Sequence, residues 1–287
     1  MENTGKAKAY SPSHITGFFE IRDNKNPVYK GSVGCGIVLE AGCVTDVSLD
    51  NRVRIVLNGM EEEARTTRYV VEHLVGKHGA VVSTDFEVPI ECGFGASGAG
   101  ALSTALALNE LLALRMTLNK LAEVAHIAEV ENSTGLGDVT AETYGGVVIR
   151  KKPGPPGIGI IDKIPQRKEK ISCVVLGKKS TKAVLADDSM RRRINEAGRG
   201  AMKELMQKPT LETFMHASRQ FSLRSEVISE KCRDAIEAVD AEGKVASAAM
   251  LGDTVFVIGD SDALREFGDV KESRISDSGA RVITSRA

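Results

Sequence analysis

Gly93-Phe94-Gly95-Ala96-Ser97-Gly98-Ala99-Gly100 carries four glycines in eight residues, and its neighbours decide what those glycines are for. Upstream, Thr84-Asp85-Phe86-Glu87-Val88-Pro89-Ile90 alternates in polarity and predicts a strand over 84 to 90. Downstream, residues 101 to 114 hold only Ser103, Thr104, Asn109 and Glu110 as polar side chains, so a helix there is apolar round most of its circumference and must be buried. A strand feeding a glycine loop into a buried helix leaves bare backbone N–H groups at the helix N-terminus, which is an anion site. Glycine suits it because the missing Cβ lets phosphate oxygens reach the amides, and because it accepts backbone angles other residues avoid. A tight strand-to-helix turn, packed with small residues, is the alternative reading of the same string.

Two nucleotide motifs compete for this stretch and its surroundings. Gly93-x-Gly95-x-x-Gly98 matches the dinucleotide fingerprint literally, but that fingerprint needs a second strand and an acidic residue about 20 positions on. Here that window, Thr117 to Glu123, reads as helix. Gly177-Lys178-Lys179-Ser180 lacks the earlier glycine of a Walker loop and has an extra lysine before the serine. No protein-kinase catalytic loop occurs.

Strands dominate the first sixty residues, with Val53 to Leu57 ending at the turn Asn58-Gly59. Ala64, Val71, Leu74 and Val75 predict a helix over 61 to 78, and Gly79 offers its stop. After the glycine loop and its helix, Leu118, Leu121, Ala122, Ala125 and Ala128 set a second helix that ends near Asn132 to Gly135. The loop from Ser133 to Asp138 leads to another helical turn or two, then to a strand over 145 to 150. Residues 151 to 157 are a proline and glycine cluster that predicts an exposed loop. Strands at 158 to 163 and 171 to 177, three helices over 187 to 240 broken at Pro209, and strands at 245 to 249, 254 to 258 and 281 to 284 complete the chain. That order argues for an α+β fold rather than regular βα alternation. The domain boundary is expected near Pro165, giving units 1–165 and 166–287.

With 287 residues the chain is long enough for one large or two fused domains. Its 38 basic and 39 acidic side chains give a net charge of −1 and no basic field, which disfavours a general nucleic-acid binder. Five scattered cysteines, with no C-x-x-C pair, fit reduced thiols in a cytoplasmic protein. The opening residues lack a signal-peptide pattern, and no apolar stretch reaches the ~18 residues of a spanning helix. No membrane association is expected.

A triphosphate on the loop needs a magnesium ion held by one or two hard oxygens. Ser97 offers a hydroxyl, and Glu129, Glu131 and Asp138 offer carboxylates for the metal or for orienting a nucleophile. Asp138 stands out because it lies in an otherwise small, apolar stretch. His126 precedes Glu129 by three residues, so on a helix both share one face. A satisfied core histidine is the plain alternative for His126, and a solvated helix face is the plain alternative for Glu129 and Glu131.

Pro12-Ser13-His14-Ile15-Thr16-Gly17-Phe18-Phe19, Gly34-Cys35-Gly36, Gly93 to Ala99, Glu129 through Asp138, and Ser247 to Gly252 occur in the order seen in the GHMP kinase superfamily. Within it the set most closely resembles the archaeal pantoate kinase family, over nearly the whole chain. The resemblance implies a two-domain GHMP fold, with an S5-like N-terminal α+β domain and a ferredoxin-like C-terminal one. It implies ATP-dependent phosphorylation of the 4-hydroxyl of pantoate, on the archaeal route to coenzyme A, with ATP and Mg2+ as cofactors. On motif position, Gly93, Gly95, Ala96, Ser97, Gly98 and Ala99 cradle the nucleotide, and Ser97 and Glu129 resemble the magnesium ligands. Asp138 resembles the residue that orients or deprotonates the attacking hydroxyl. Pantoate brings a carboxylate, for which the Arg150 guanidinium offers a bidentate partner, and the resemblance adds substrate contacts at Ser32, His126 and Thr181. His14 stays open between packing and ligand contact. The third motif, Ala246 to Gly252, is less glycine-rich than is usual in the superfamily. A homodimer is expected on family grounds. A kinase for homoserine or mevalonate is the alternative within the fold, and a nucleotide-binding regulator without catalysis is the alternative outside it.

Overall fold

A computed structural model describes residues 5–76, 78–179 and 181–285. Strands β1 (Lys6–Arg22) and β2 (Gly31–Asp50) form a long antiparallel pair whose register slips at Pro12/Ser13 and again at Thr16/Phe18. Pro12 has no N–H for the ladder, and a side chain at Gly17, inside the second slip, would meet the Phe214 ring at 2.6 Å. The bulges thus fall where regular pairing is disfavoured, and they bracket His14 and Thr16.

The same sheet takes in β3 (Arg54–Leu57), β4 (Met60–Glu61), β5 (Gly79–Phe86), β6 (Val147–Lys152) and β7 (Ile160–Ile164). It has eight strands, closed at one edge by a strand from the far end of the sequence, Arg281–Ser285, which pairs antiparallel with β1. Four helices accompany it: α1 (Arg65–Val75), α2 (Ala96–Leu111), α3 (Leu118–Asn132) and α4 (Asp138–Tyr144). Helix α2 packs on β1 and β2 with α1 and α3 on its flanks. That sandwiching is why its sequence is apolar on every side.

From residue 170 a second sheet forms, from β8 (Lys170–Gly177), β9 (Ala246–Ala248), β10 (Asp253–Ile258) and β11 (Val270–Arg274). Its order is β11-β8-β10-β9, all antiparallel, and Arg281–Ser285 is β12. Between β8 and β9 run α5 (Thr181–Ala186), α6 (Asp188–Gln207), α7 (Leu211–Ser225) and α8 (Glu230–Ala241). The last three start from side-chain caps at Asp187, Thr210 and Ser229. Helices α6 and α7 also pack on β1. Phe18 meets Phe214 with ring centroids 6.2 Å apart, and Phe19 meets Phe221 at 5.8 Å, so one apolar core is continuous from β1 into the second set of helices.

The α+β reading holds, with several boundaries corrected. The strand expected at 84 to 90 is Gly79–Phe86, because Glu87 N donates to Gly42 O at 2.9 Å as the chain turns out of the sheet and Pro89 cannot continue the ladder. The helix expected from 61 starts at Arg65, after Met60–Glu61 pairs with β3 and Ala64 adopts φ 36°. The helix expected at 101 begins at Ala96, inside the glycine string itself. In the expected exposed loop at 151 to 157, Gly154, Pro155 and Pro156 are buried, and Gly154 O accepts a hydrogen bond from Thr140 Oγ1 at 3.1 Å. Prolines have no N–H to satisfy, so they enter a core at little cost. Helix α5 and strand β11 were not expected. Ser180 lies outside the described residues. All five cysteines are free and buried, and no described helix is long and apolar enough to cross a membrane.

Candidate active site

Three of the strings named above converge through backbone hydrogen bonds. His14 N donates to Phe94 O at 3.0 Å, tying the bulged part of β1 to the glycine loop, and Met250 N donates to Thr16 O at 2.9 Å, bringing in the third string. Thr254 Oγ1 donates to Cys92 O at 2.7 Å from beneath. Above this junction a cavity of about 780 Å³ opens, lined by the glycine loop, Thr16, Asp138, Arg150, Met250 and the segment around Lys178 to Lys182.

Gly95 is the N-cap of α2, at φ 64°, with no capping side chain. The first intrahelical bond is Ala99 N to Gly95 O, so the amides of Ala96, Ser97 and Gly98 sit at an uncapped positive helix end. Only glycine fits at 95, since it takes a left-handed angle and a Cβ would lie 2.5 Å from Glu142 Oε1. Gly93, Gly95, Ala96 and Ser97 line the cavity, whereas Gly98 and Ala99 lie buried in the first turn behind them.

Ser97 Oγ donates to Glu129 Oε1, which also accepts from Thr134 Oγ1 at 2.9 Å. Glu129 is buried near the end of α3, and Gly135 lacks the side chain that would collide with its Oε2. Burial, then the charge of Asp138, pushes the Glu129 carboxyl up to about 8 against the Ser97 and Thr134 hydrogen bonds. Glu131 points outward and is exposed.

Asp138 is the first residue of α4, with its side chain 22 % exposed to the cavity. Its Oδ1 lies 2.7 Å from His14 Nδ1. Burial works against its ionisation, but the His14 hydrogen bond and the Arg150 guanidinium outweigh it and hold the carboxyl below its usual range. Burial also keeps His14 below the ordinary imidazole range, so the ring is neutral near pH 7.

Arg150 rises from β6, opposite Gly34 of β2, and is 2 % exposed. Its Nε and Nη1 have no protein partner. It packs on Gly137 together with Ser32, whose hydroxyl donates to Leu136 O at 3.3 Å, and both side chains reach the cavity. Thr181 also lines the cavity. His126 is set apart from this group: it is 1 % exposed, its ring is hydrogen-bonded to Lys30 O at 2.9 Å, and it does not line the cavity. Its face of α3 is turned against the 27 to 30 segment that leads into Ser32, and burial holds its pKa down.

Glu142 was not expected. It is fully buried on α4, one turn after Asp138, and neither carboxyl oxygen has a protein partner. Burial, then Asp138 and Glu129, raises it well above the ordinary carboxylate range. A Cβ at Gly98 would lie 3.0 Å from both Glu129 Oε2 and Glu142 Oε2, so the two acids converge under the glycine loop. The i, i+4 spacing from Asp138 was the available signal, since it puts both acids on one helical face. Lys178 and Lys179 of the string that fails as a Walker loop also line the cavity, and so does Lys182, which no motif marks.

The chain matches the model for the GHMP kinases N terminal domain over residues 59–146. It is 36% identical over 266 residues to pantoate kinase of Methanocaldococcus jannaschii, covering 90% of this chain and 94% of that one. Among solved structures, a phosphotransferase related to the CoA biosynthesis pathway superposes with a TM-score of 0.87 at 30% identity, covering 96% of this chain and 98% of the other. A structure described as MDDEF in complex with MVAPP, AMPPCP and magnesium shares the fold alone, with a TM-score of 0.75 at 16% identity over 97% of this chain and 98% of the other.

Proposed function

Since the chain belongs to the pantoate kinase family of the GHMP kinases, we propose that it transfers the γ-phosphoryl group of ATP to the 4-hydroxyl of (R)-pantoate, giving 4-phosphopantoate for coenzyme A synthesis. The observation that carries the acceptor side is Arg150. A buried guanidinium with two unpartnered donors is costly unless an anion completes it, and it lines the cavity beside Asp138. A hydroxy acid held by its carboxylate there presents its hydroxyl to Asp138, and Ser32 and Thr181 supply further polar contacts. His126 acts on this reading through the wall it supports.

On the donor side, the amides of Ala96, Ser97 and Gly98 bind the phosphate tail, with Lys178 and Lys182 at the cavity edge as counter-charges. Ser97 and Glu129 fit magnesium: they are hard oxygens already in contact at the start of α2. No three ligating side chains converge among the described residues, so these two would hold the ion with phosphate oxygens and water completing it. Magnesium supplies charge neutralisation of the phosphates when bound.

Asp138, kept ionised, accepts a hydrogen bond from the acceptor hydroxyl and orients its lone pair at the γ-phosphorus. As the O–P bond forms and ADP leaves, the hydroxyl proton passes to Asp138. Phosphoryl transfer has a loose transition state, so orientation and charge dominate over early proton removal. Coupled ADP release measured over pantoate, homoserine and mevalonate, with 31P NMR of the product, tests the proposal. Turnover with pantoate and a phosphate ester on its 4-oxygen is the expected outcome; absence of pantoate-dependent ADP release sinks it. The names of the relatives favour pantoate over the other two acceptors.

A further inference from the structure

His14 touches the site without belonging to the cradle or the acceptor pocket. It sits between the two β1 bulges, its ring is 0 % exposed, and among the described residues its only short ring contact to a polar group is Nδ1 to Asp138 Oδ1 at 2.7 Å. Thr16 Oγ1 stands at the 3.5 Å limit from the same nitrogen. Nε2 is buried with no partner. It faces the α-carbon of Gly36 on the neighbouring strand, where any side chain would collide with it. The ring is therefore boxed in on one side by β2 and pinned on the other by a carboxylate.

We propose that His14 is a positioning residue for phosphoryl transfer: through its Nδ1–H it fixes one oxygen of Asp138, leaving the other aimed at the acceptor hydroxyl, while its own backbone N–H holds the nucleotide loop at Phe94. One residue thus sets the spacing between the group that meets the acceptor and the loop that meets the donor. With Asp138 ionised, the shared proton must reside on His14 Nδ1, because a bare Nδ1 facing a carboxylate is repulsive. Nε2 is sealed from water, so the ring has nowhere to pass a proton and does not act as a relay. The fold keeps a bare, unpartnered nitrogen in its core, which costs stability, and Gly36 is what makes the room.

This inference rests on the kinase reading, and the test separates the two. The full chain is compared as wild type, His14→Asn and His14→Leu. Asn places an amide N–H where Nδ1 was; Leu does not. In His14→Leu, kcat falls roughly 10²-fold, the scale of a misaligned reacting group, while KM for ATP and for pantoate stay within about threefold. His14→Asn recovers most of that loss. A low-field imidazole N–H resonance in the wild type, lost or moved in Asp138→Asn, reports the pairing independently of turnover. Unchanged kcat in His14→Leu, a loss confined to KM, equal impairment in both variants, or an imidazole signal indifferent to Asp138→Asn overturns the proposal. A wild type that releases no ADP with pantoate overturns the functional reading instead, and the resonance still decides whether His14 holds Asp138.

Discussion

Replacing Arg150 with methionine isolates the acceptor side of the site. The guanidinium is 2 % exposed, Arg150 lines the cavity, and its buried Nε and Nη1 have no partner among the described residues. A hydrogen bond to a charged group is worth about 1.5–3 kcal/mol, so losing two at the lower figure removes about 3 kcal/mol of acceptor binding. At about 1.36 kcal/mol per decade, that raises the pantoate KM roughly 10²-fold. On the proposed reading ATP lies at the α2 end of the cavity, and its KM is expected to move less than about threefold. The unliganded protein is expected to melt no lower than wild type, since burial works against the Arg150 charge and a methionine of similar length removes that conflict. Arg150→Lys, which keeps a charge but not a planar fork, should fall between the two. The assay is coupled ADP release with pantoate varied at saturating ATP, then ATP varied at saturating pantoate. A pantoate KM unchanged within threefold, or a parallel rise in both KM values, refutes the reasoning.

Three further outcomes follow from the carboxylates and the loop. Burial and the neighbouring acids raise the Glu142 carboxyl well above the usual range in the folded state, so its share of stability is full below its unfolded value of about 4.3 and lost as pH rises toward the folded one. Glu142→Gln should therefore stabilise the protein by an amount that grows as pH rises above about 4.3; urea titrations at about pH 5 and at a higher pH showing the same gain would count against it. Glu129→Gln should weaken divalent-cation binding at least about tenfold, the low end for disturbing a metal's surroundings, read by EPR with Mn2+ and ATP; unaltered Mn2+ affinity removes Glu129 from the metal. Gly95→Ala, forced to φ 64° and against Glu142 Oε1, should cost about 1 kcal/mol or more in stability and raise the ATP KM several-fold with pantoate KM unaffected. A variant indistinguishable from wild type in melting and in ATP KM would contradict the cradle.

Much of the donor side was legible because its signals are local. The glycine string names its own backbone angles, and the helix after it is apolar on every face, which only a sandwiched helix tolerates. The acceptor side depended on resemblance, since Ser32, Asp138 and Arg150 come together only when β2, α4 and β6 pack. His126 shows the limit of periodicity: it shares a helix face with Glu129, yet its ring is taken up by Lys30 O. Glu142 escaped notice because an acid in a short helix looks like solvated surface until the fold buries it under residues 95 and 98. Strand β11 is Val-Lys-Glu-Ser-Arg, with little apolar alternation to mark it, and it is held by its ladder with β8. The buried Pro155 and Pro156 read as surface by composition, because proline marks loops without saying which side of the chain faces water.

The pairing of β12 with β1, from Ala7↔Ser285 to Tyr10↔Arg281, sets a timetable for biogenesis. The strand that carries His14 is translated well before its outer neighbour, which lies far downstream in the sequence. Until that neighbour is made, one flank of β1 exposes unmet N–H and C=O groups, and a nascent chain in that condition is open to mispairing with other strands. Closing a contact across so much sequence is also slow. Assistance by a chaperone during translation, or slower elongation, should therefore matter more to the yield of this kinase than the strength of its finished core implies.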